Sequence, residues 1–340
     1  MMPFRTKTNA RLRAWCSAAI IALGLGTATT ASAAETYPAR PVRMVIPFGA
    51  GGPADFVGRL FAQHLSDLWG QQIVTDNRGG ASGIIGTEIA LRSNPDGYTL
   101  LFGSTSTFAV NLVLIKKLPY DVFRDLQLIG LVANAPHVLA VRAHTQGVGG
   151  EPARSVKDLV ATARKQPGKL SFASAGAGTI VHMAGELFKY HAGIDILHVP
   201  YKGGAAATVG VLSGESTMVV NDLSVVLAHV KSGQMRALAA CHDKRLAPLP
   251  DVPTFRELGM PGVVSSTWWG IAVPSATPRA IVDRLAAAHA DVVKRPAYAA
   301  RLAELAMEPL VLDRAQTNAF VKAEIAKWRK IATAADVKLD

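Results

Sequence analysis

The segment Val42-Arg43-Met44-Val45-Ile46-Pro47-Phe48-Gly49-Ala50-Gly51-Gly52-Pro53-Ala54-Asp55 decides how the rest of the chain is read. Val42 to Phe48 is a short apolar run of the length and composition of a buried strand. Beyond the glycines, Val57, Leu60, Phe61, Leu65 and Leu68 recur at 3.6-residue spacing, one face of a helix. Strand, glycine turn and helix in that order form the repeating unit of a parallel α/β sheet. The unit recurs outward from here. Ile73 to Thr75 and Tyr98 to Phe102 read as further strands, with a helix from Ser82 to Arg92 between them. A second series offers helix 155–166, strand 170–173, helix 179–191, strand 196–199, helix 204–213, strand 216–220, helix 223–232 and strand 236–240. A short helix at 254–258 and a strand from Ser266 to Val273 follow. Near the end, Val321, Ile325, Trp328 and Ala332 form an apolar helical stripe that needs a packing partner.

Between the two series lie extended segments, Leu126 to Ala133 and Val138 to Val141, separated by Asn134-Ala135-Pro136. Together with the stretch 260–273 they read as two crossings between lobes. The expected division is residues 35–135 with 262–340 as one lobe and 136–261 as the other, in keeping with a length of 340 residues, more than one core usually reaches. His144 to Glu151 reads as a glycine-containing loop.

The N-terminus reads as an export signal. Arg5, Lys7, Arg11 and Arg13 precede an apolar run from Ala14 to about Leu25, and Ala31-Ser32-Ala33 is a small-residue cleavage site. The run is too short for a membrane span. Cys16 follows bulky Trp15, whereas lipidation signals favour small residues. Cleavage near Ala33 gives an exported, periplasmic chain whose formal charge falls from +11 to +7 and whose one remaining cysteine is Cys241, which excludes an intrachain disulfide. Hydrophobic content of 49% and charged content of 18% exclude a disordered chain. Lysines and arginines are scattered without runs or interleaved aromatics, so no nucleic-acid surface is expected; the residual positive charge favours anionic small molecules.

Catalytic signatures are absent. The sequence holds no G-x-S-x-G elbow, no H-E-x-x-H and no phosphate-binding G-x-x-x-x-G-K-[ST]. Cys241 reads as a packing residue, His191 and His198 are a weak metal pair, and neither a metal nor a cofactor is expected. Gly176-Ala177-Gly178 superficially suggests a dinucleotide site, yet Val181 takes the place of the third glycine.

What remains is a set of small-residue loops, each following a strand, where open α/β sheets bind their ligands. The first carries Phe48, Gly51, Gly52 and Asp55. The second, Ser104-Thr105-Ser106-Thr107, offers hydroxyls in a row. The third runs through Ser174, Gly176, Gly178 and Thr179, with His182 one turn into the next helix, either touching ligand or bracing the loop. Lys202 contributes a strand-end cation, and Asn221 ends another strand. Glycine loops at helix starts turn backbone N–H groups toward an anion, and the helix end adds partial positive charge. One lysine among neutral donors suits a mono- or dicarboxylate better than a tricarboxylate.

These residues carry a resemblance. Tyr37-Pro-x-Arg-Pro-Val-Arg, Pro47-Phe-x-x-Gly-Gly-x-x-Asp55, Asn77-Arg78, Pro95-Asp-Gly-Tyr-Thr-Leu-Leu101 and Leu118-Pro-Tyr-Asp121 are similar to segments of the Bug-type receptors of tripartite tricarboxylate transporters. So are Pro167-Gly-Lys-Leu170, Ser174-x-Gly-x-Gly-Thr179-x-x-His182, His198-Val-Pro-Tyr-Lys-Gly203, Leu249-Pro-Asp-Val-Pro-Thr254 and Glu324-Ile-x-Lys-Trp328. The resemblance runs in order along nearly the whole mature chain. It implies an α/β, two-lobed periplasmic binding protein of the type II, Venus-flytrap kind, with hinge crossings. It also implies a monomer without enzymatic activity that captures a small carboxylate and hands it to membrane transporter subunits. The same resemblance implies that the loops around Gly51 and Ser174 hold the ligand. Two other purposes are compatible with the residues: a periplasmic sensor presenting the ligand to a membrane kinase, and an exported enzyme using His182 and Asp222.

The chain departs from the pattern at several places. Gly79 stands where proline is usual, Asn221-Asp222 is reversed and Ser224 replaces a proline. Phe108 replaces a common histidine, which suggests an apolar or aromatic part on the ligand.

Overall fold

A computed structural model of the chain describes residues 37–144 and 153–339. The export signal, Cys16 and most of the loop from His144 to Glu151 lie outside the described residues.

Strand β1 (Val42–Ile46) is followed by helix α1 (Pro53–Trp69), β2 (Ile73–Asn77), α2 (Ile84–Leu91) and β3 (Thr99–Ser104). Val42, Met44, Val45 and Ile46 are fully buried, as suits a central strand covered on both faces. Helix α1 starts with Pro53 at a position whose N–H would be unpaired anyway, and stops at Gly70 in the left-handed conformation, φ +62°. Its inner face is Val57, Phe61 and Leu65; Leu60 and Leu68 lie half-buried beside it.

The next elements differ most from the sequence reading. Residues 106–110 wind as a π-turn into the short helix α3 (Asn111–Leu114), and α4 (Val122–Asp125) leads into β4 (Leu126–Arg142). Strand β4 is one continuous strand of 17 residues, where two segments broken at Asn134-Ala135-Pro136 were expected. Pro136 is tolerated because its missing N–H falls where β4 changes partner: it pairs with Ser266 at the start of one neighbour, and His137 pairs with Asp222 at the end of another.

The second series is α5 (Val156–Lys165), β5 (Ser171–Ser174), α6 (Ile180–Ala192), β6 (Leu197–Pro200), α7 (Gly204–Ser213), β7 (Met218–Asp222), α8 (Leu223–Lys231) and β8 (Met235–Ala240). The expected helix at 254–258 is only a turn: Thr254 is held in a bridge to Ala240, and Gly259 at φ +80° closes the turn at once. Strand β9 (Ser266–Pro274) returns, and α9 (Arg279–Val293), α10 (Pro296–Glu304) and α11 (Arg314–Ala334) complete the chain. Helices α9 and α10 had no counterpart in the sequence reading. The stripe on α11 packs as expected, with Val321 and Trp328 fully buried.

The sheet order β2-β1-β3-β9-β4-β7-β5-β6, with β8 also on β4, positions the candidate loops. Strands β1, β2 and β3 are parallel, β9 is antiparallel to β3, and β4 is antiparallel to β9, so β4 runs the same way as β3. Strand β7 is antiparallel to β4, and β5 and β6 follow β7. The carboxyl ends of β1–β3 therefore point toward those of β5–β7. Ser104 pairs with Trp269, which pairs with Ala133, while Asp222 pairs with His137. The two sets of strand ends thus face one another across four residues of β4, about 13 Å at strand rise. Two segments cross this gap, β4 at 133–137 and the start of β9, which makes the molecule two-lobed.

The crossing is pinned at its centre. His137 is fully buried, with Nδ1 3.0 Å from Ser265 Oγ and Nε2 3.0 Å from Thr267 Oγ1 and 3.1 Å from Asp222 Oδ1. It joins both crossing segments to the end of β7.

Candidate functional site

On the first lobe, three loops meet. The loop after β1 bends at Gly51, φ +81°, whose N–H donates to Asp55 Oδ2 at 2.9 Å. The other oxygen of Asp55 lies 2.9 Å from Arg59 Nε. Asp55 is buried, which opposes its ionisation, but the Gly51 amide, Arg59 and Asn77 together hold its carboxyl below the usual range. Asp55 therefore shapes the loop. The N–H groups of Gly49, Ala50 and Gly52 find no acceptor among the described residues, and Phe48 stands half-exposed beside them.

The loop after β2 was missed by sequence reasoning. A helix was expected from Ser82, but Gly80, Ala81, Ser82 and Gly83 all have positive φ, and α2 begins only at Ile84. Two non-glycine residues in a row there are a strained feature of the kind that collects at ligand sites. The run Gly79-Gly80-Ala81-Ser82-Gly83 was the available signal. Close approach explains part of it: a Cβ on Gly79 would lie 3.1 Å from Gly49 N, and one on Gly86 2.7 Å from Pro47 Cα. The proline expected at 79 would crowd the glycine loop.

The side-chain oxygens of Ser104, Thr105 and Thr107 are engaged internally. Thr105 Oγ1 accepts from Trp268 N at 2.8 Å, Thr107 Oγ1 accepts from Ser104 N at 2.7 Å, and Ser104 Oγ accepts from Ser106 N at 3.2 Å. Ser104, Thr105 and Ser106 are all buried. Thr105 fastens the end of β3 to the crossing strand β9. Phe108 is fully buried, stacked on Trp268 with ring centroids 6.4 Å apart, in room left by Gly103. The reading of Phe108 as a ligand-facing aromatic is thus corrected: it fills core.

On the second lobe, the loop from Ser174 to Thr179 turns at Gly176 (φ +133°) and Gly178 (φ +73°). Thr179 caps α6, accepting from His182 N and donating to Gly176 O at 2.7 Å. Ser174 is fully buried, its Oγ accepting from Gly176 N at 3.2 Å and lying 2.6 Å from His198 Nε2. His182 Nδ1 accepts the Gly178 N–H at 3.1 Å, so His182 braces the loop. With both hydroxyls consumed, the N–H groups of Ala177, Ile180 and Val181 remain without an acceptor among the described residues. They sit at the positive end of a 13-residue helix. Sequence reasoning weighed His198 only as a weak metal partner of His191, because its actual partner, Ser174, is 24 residues away.

Lys202 is exposed and makes no ion pair among the described residues. Asn221 is fully buried: its amide donates to Gly204 O at 2.9 Å and to Thr208 Oγ1 at 3.2 Å, and its oxygen accepts from Asp222 N at 3.0 Å. It anchors the start of α7, with Lys202 two residues before. Asp222 sits beside His137, not with His182, so the catalytic pairing considered for His182 and Asp222 is not assembled. Cys241 is fully buried, and burial pushes its thiol up to about 12. No group of three or more metal-ligating side chains occurs among the described residues, and no helix there is long and apolar enough to cross a membrane.

Two α/β lobes joined by two crossing strands, with unpaired amides at facing strand ends, define a solute-binding protein. The sequence profile of the tripartite tricarboxylate transporter family receptor (TctC) matches residues 57–337, and the chain belongs to that family. It is 35% identical over 324 residues to protein BugT of Bordetella pertussis, covering 94% of this chain and 98% of that one. Among solved structures it is similar to R. palustris Rpa4515 with adipate, TM-score 0.80 and 32% identity over 89% of this chain and 99% of that chain. It is also similar to the periplasmic binding protein BugD, TM-score 0.77 and 32% identity with the same coverage of both. The matched family is one of receptors and BugD is a periplasmic binding protein; the chain is a receptor of that family and not an enzyme.

Proposed function

We propose that this receptor captures a small mono- or dicarboxylate between its lobes, as a monomer in the periplasm after cleavage near Ala33, and delivers it to membrane transporter subunits. The observation that carries the reading is the pairing of free amides. Ala177, Ile180 and Val181 at the start of α6 and Gly49, Ala50 and Gly52 after β1 both follow strands whose carboxyl ends point toward each other, the ends of β3 and β7 lying four β4 residues apart, about 13 Å along that strand. A carboxylate accepts such N–H groups in charge-assisted hydrogen bonds worth about 1.5–3 kcal/mol each. Lys202 adds a cation without demanding a second. The lobes divide as residues 35–135 with 262–340 and 136–261, and close about β4 and β9. Adipate held by Rpa4515 supports the ligand class.

Calorimetric titration of residues 35–340 with adipate and shorter dicarboxylates tests capture, and 1:1 binding at micromolar or tighter affinity is expected. Delivery is tested by uptake in cells lacking the gene. Uptake lost and restored by the chain supports transport; unaffected uptake with altered kinase output would transfer the same capture step to a sensor.

A further inference from the structure

Two imidazoles lie beneath the loop that offers the second-lobe amides. His182 comes from the first turn of α6 and His198 from β6. Their rings stack with centroids 3.7 Å apart and planes 12° from parallel. Phe172 of β5 stacks against His198 at 4.9 Å, so the pair is held in an apolar wall. Each ring grips one point of the loop: His182 Nδ1 accepts from Gly178 N at 3.1 Å, and His198 Nε2 lies 2.6 Å from Ser174 Oγ.

The protonation state follows from these contacts. Nδ1 of His182 can accept the Gly178 N–H only while it carries a lone pair; a proton there turns an acceptor into a donor facing a donor. The facing charged groups are few. Glu186 Oε1 lies 3.8 Å from His182 Nε2, with its own carboxyl pushed up by burial, and Lys189 one turn further along α6 disfavours a charge on either ring. Lys189 is itself 3.8 Å from Asp195. Strand β5 contributes only Phe172 and Ser174, and the tail places Leu339 against Gly178. Burial first, then the neighbouring imidazole and Lys189, push His182 down to about 3, while burial and Lys189 push His198 down to about 4. An anion receptor that needed positive charge here would have favoured protonated rings. This one keeps them neutral.

We propose that His182 and His198 are positioning residues: a neutral stacked pair that holds the Ser174–Thr179 loop in its carboxylate-receiving shape without touching the carboxylate. The proposal rests on the capture reading above. Its test therefore has one arm that needs no ligand.

In that arm, the amide proton of Gly178 is followed by NMR in ligand-free protein at pH 7. It is expected downfield in the wild type, moved upfield in His182→Phe, which keeps the stack and loses the acceptor, and restored in His182→Asn, whose Oδ1 stands near the place of Nδ1. In the second arm adipate affinity is expected to fall about fivefold to tenfold in His182→Phe, the size of one lost hydrogen bond, and to recover most of that loss in His182→Asn. For His198 the matching pair is His198→Phe and His198→Gln. An unmoved Gly178 amide in a folded His182→Phe protein overturns the proposal, as does wild-type adipate affinity in both Phe variants. If the wild type binds no carboxylate while the Gly178 signal behaves as expected, the capture reading fails and the loop-bracing role stands alone.

Discussion

Gly52 sets the sharpest test at the scale of single residues. Its φ of −89° is open to any side chain, and a Cβ there would meet nothing nearer than Gly49 O at 3.8 Å. Gly52→Leu should therefore fold normally, with a melting temperature within a few degrees of wild type, yet lose adipate affinity at least tenfold by filling the approach to the free amides. Gly51, at φ +81°, would give an uninterpretable variant, since any side chain there is strained. Cys241, whose thiol burial pushes up to about 12, should resist alkylation at pH 8 until the protein is unfolded, as a thiol titration with and without denaturant would show. The histidine pair gives a pH dependence with a definite sign. Both rings bind protons more weakly folded than at the ordinary 6.5, so the unfolded chain takes up protons first as pH falls. Their contribution is complete above about 6.5 and is lost progressively as pH falls toward about 3. Unfolding by urea across that range should show stability falling with pH, and the double variant His182→Asn with His198→Gln should flatten the slope.

Among elements, those whose pattern is local were legible and those set by distant partners were not. Strand β1 and helix α1 follow from their apolar periods, and helix α7 occupies residues 204–213 as read. Strand β4 was read as broken because Pro136 ordinarily interrupts a ladder, and only the register of β7 and β9 shows why it does not. The left-handed turn at 80–83 was missed, and a helix read from Ser82, because Ala81 and Ser82 carry no φ preference strong enough to announce it. In the site, the glycine loops were visible in sequence, whereas Thr179, read as a ligand donor within a helix from 179, caps α6. The roles of Thr105 and Asn221 as fasteners were not visible, because their partners Trp268, Gly204 and Thr208 lie on other elements. The end of β3 yields a test of its own. A Cβ at Gly103 would overlap the Phe108 ring, so Gly103→Ala should cost about 1–3 kcal/mol, measured by denaturant unfolding. Pairing it with Phe108→Leu should recover part of that loss.

At the scale of the whole molecule, one continuous sheet is shared by the two lobes. Parallel strands on either side of β4 aim their carboxyl ends at one another, and the segments that cross the gap are the ones His137 ties together. Capture requires the facing ends to approach on a ligand that satisfies both. The most direct measurement is thermal unfolding of residues 35–340 against aliphatic and aromatic carboxylates, amino acids and neutral controls. Ligand at about a hundred times its dissociation constant adds roughly 2.7 kcal/mol to stability, a shift readily seen. The facing amides predict a rise in melting temperature with one class of mono- or dicarboxylate and none with its amide or ester. A rise with a neutral or cationic compound and with no carboxylate would contradict the anion-binding cleft.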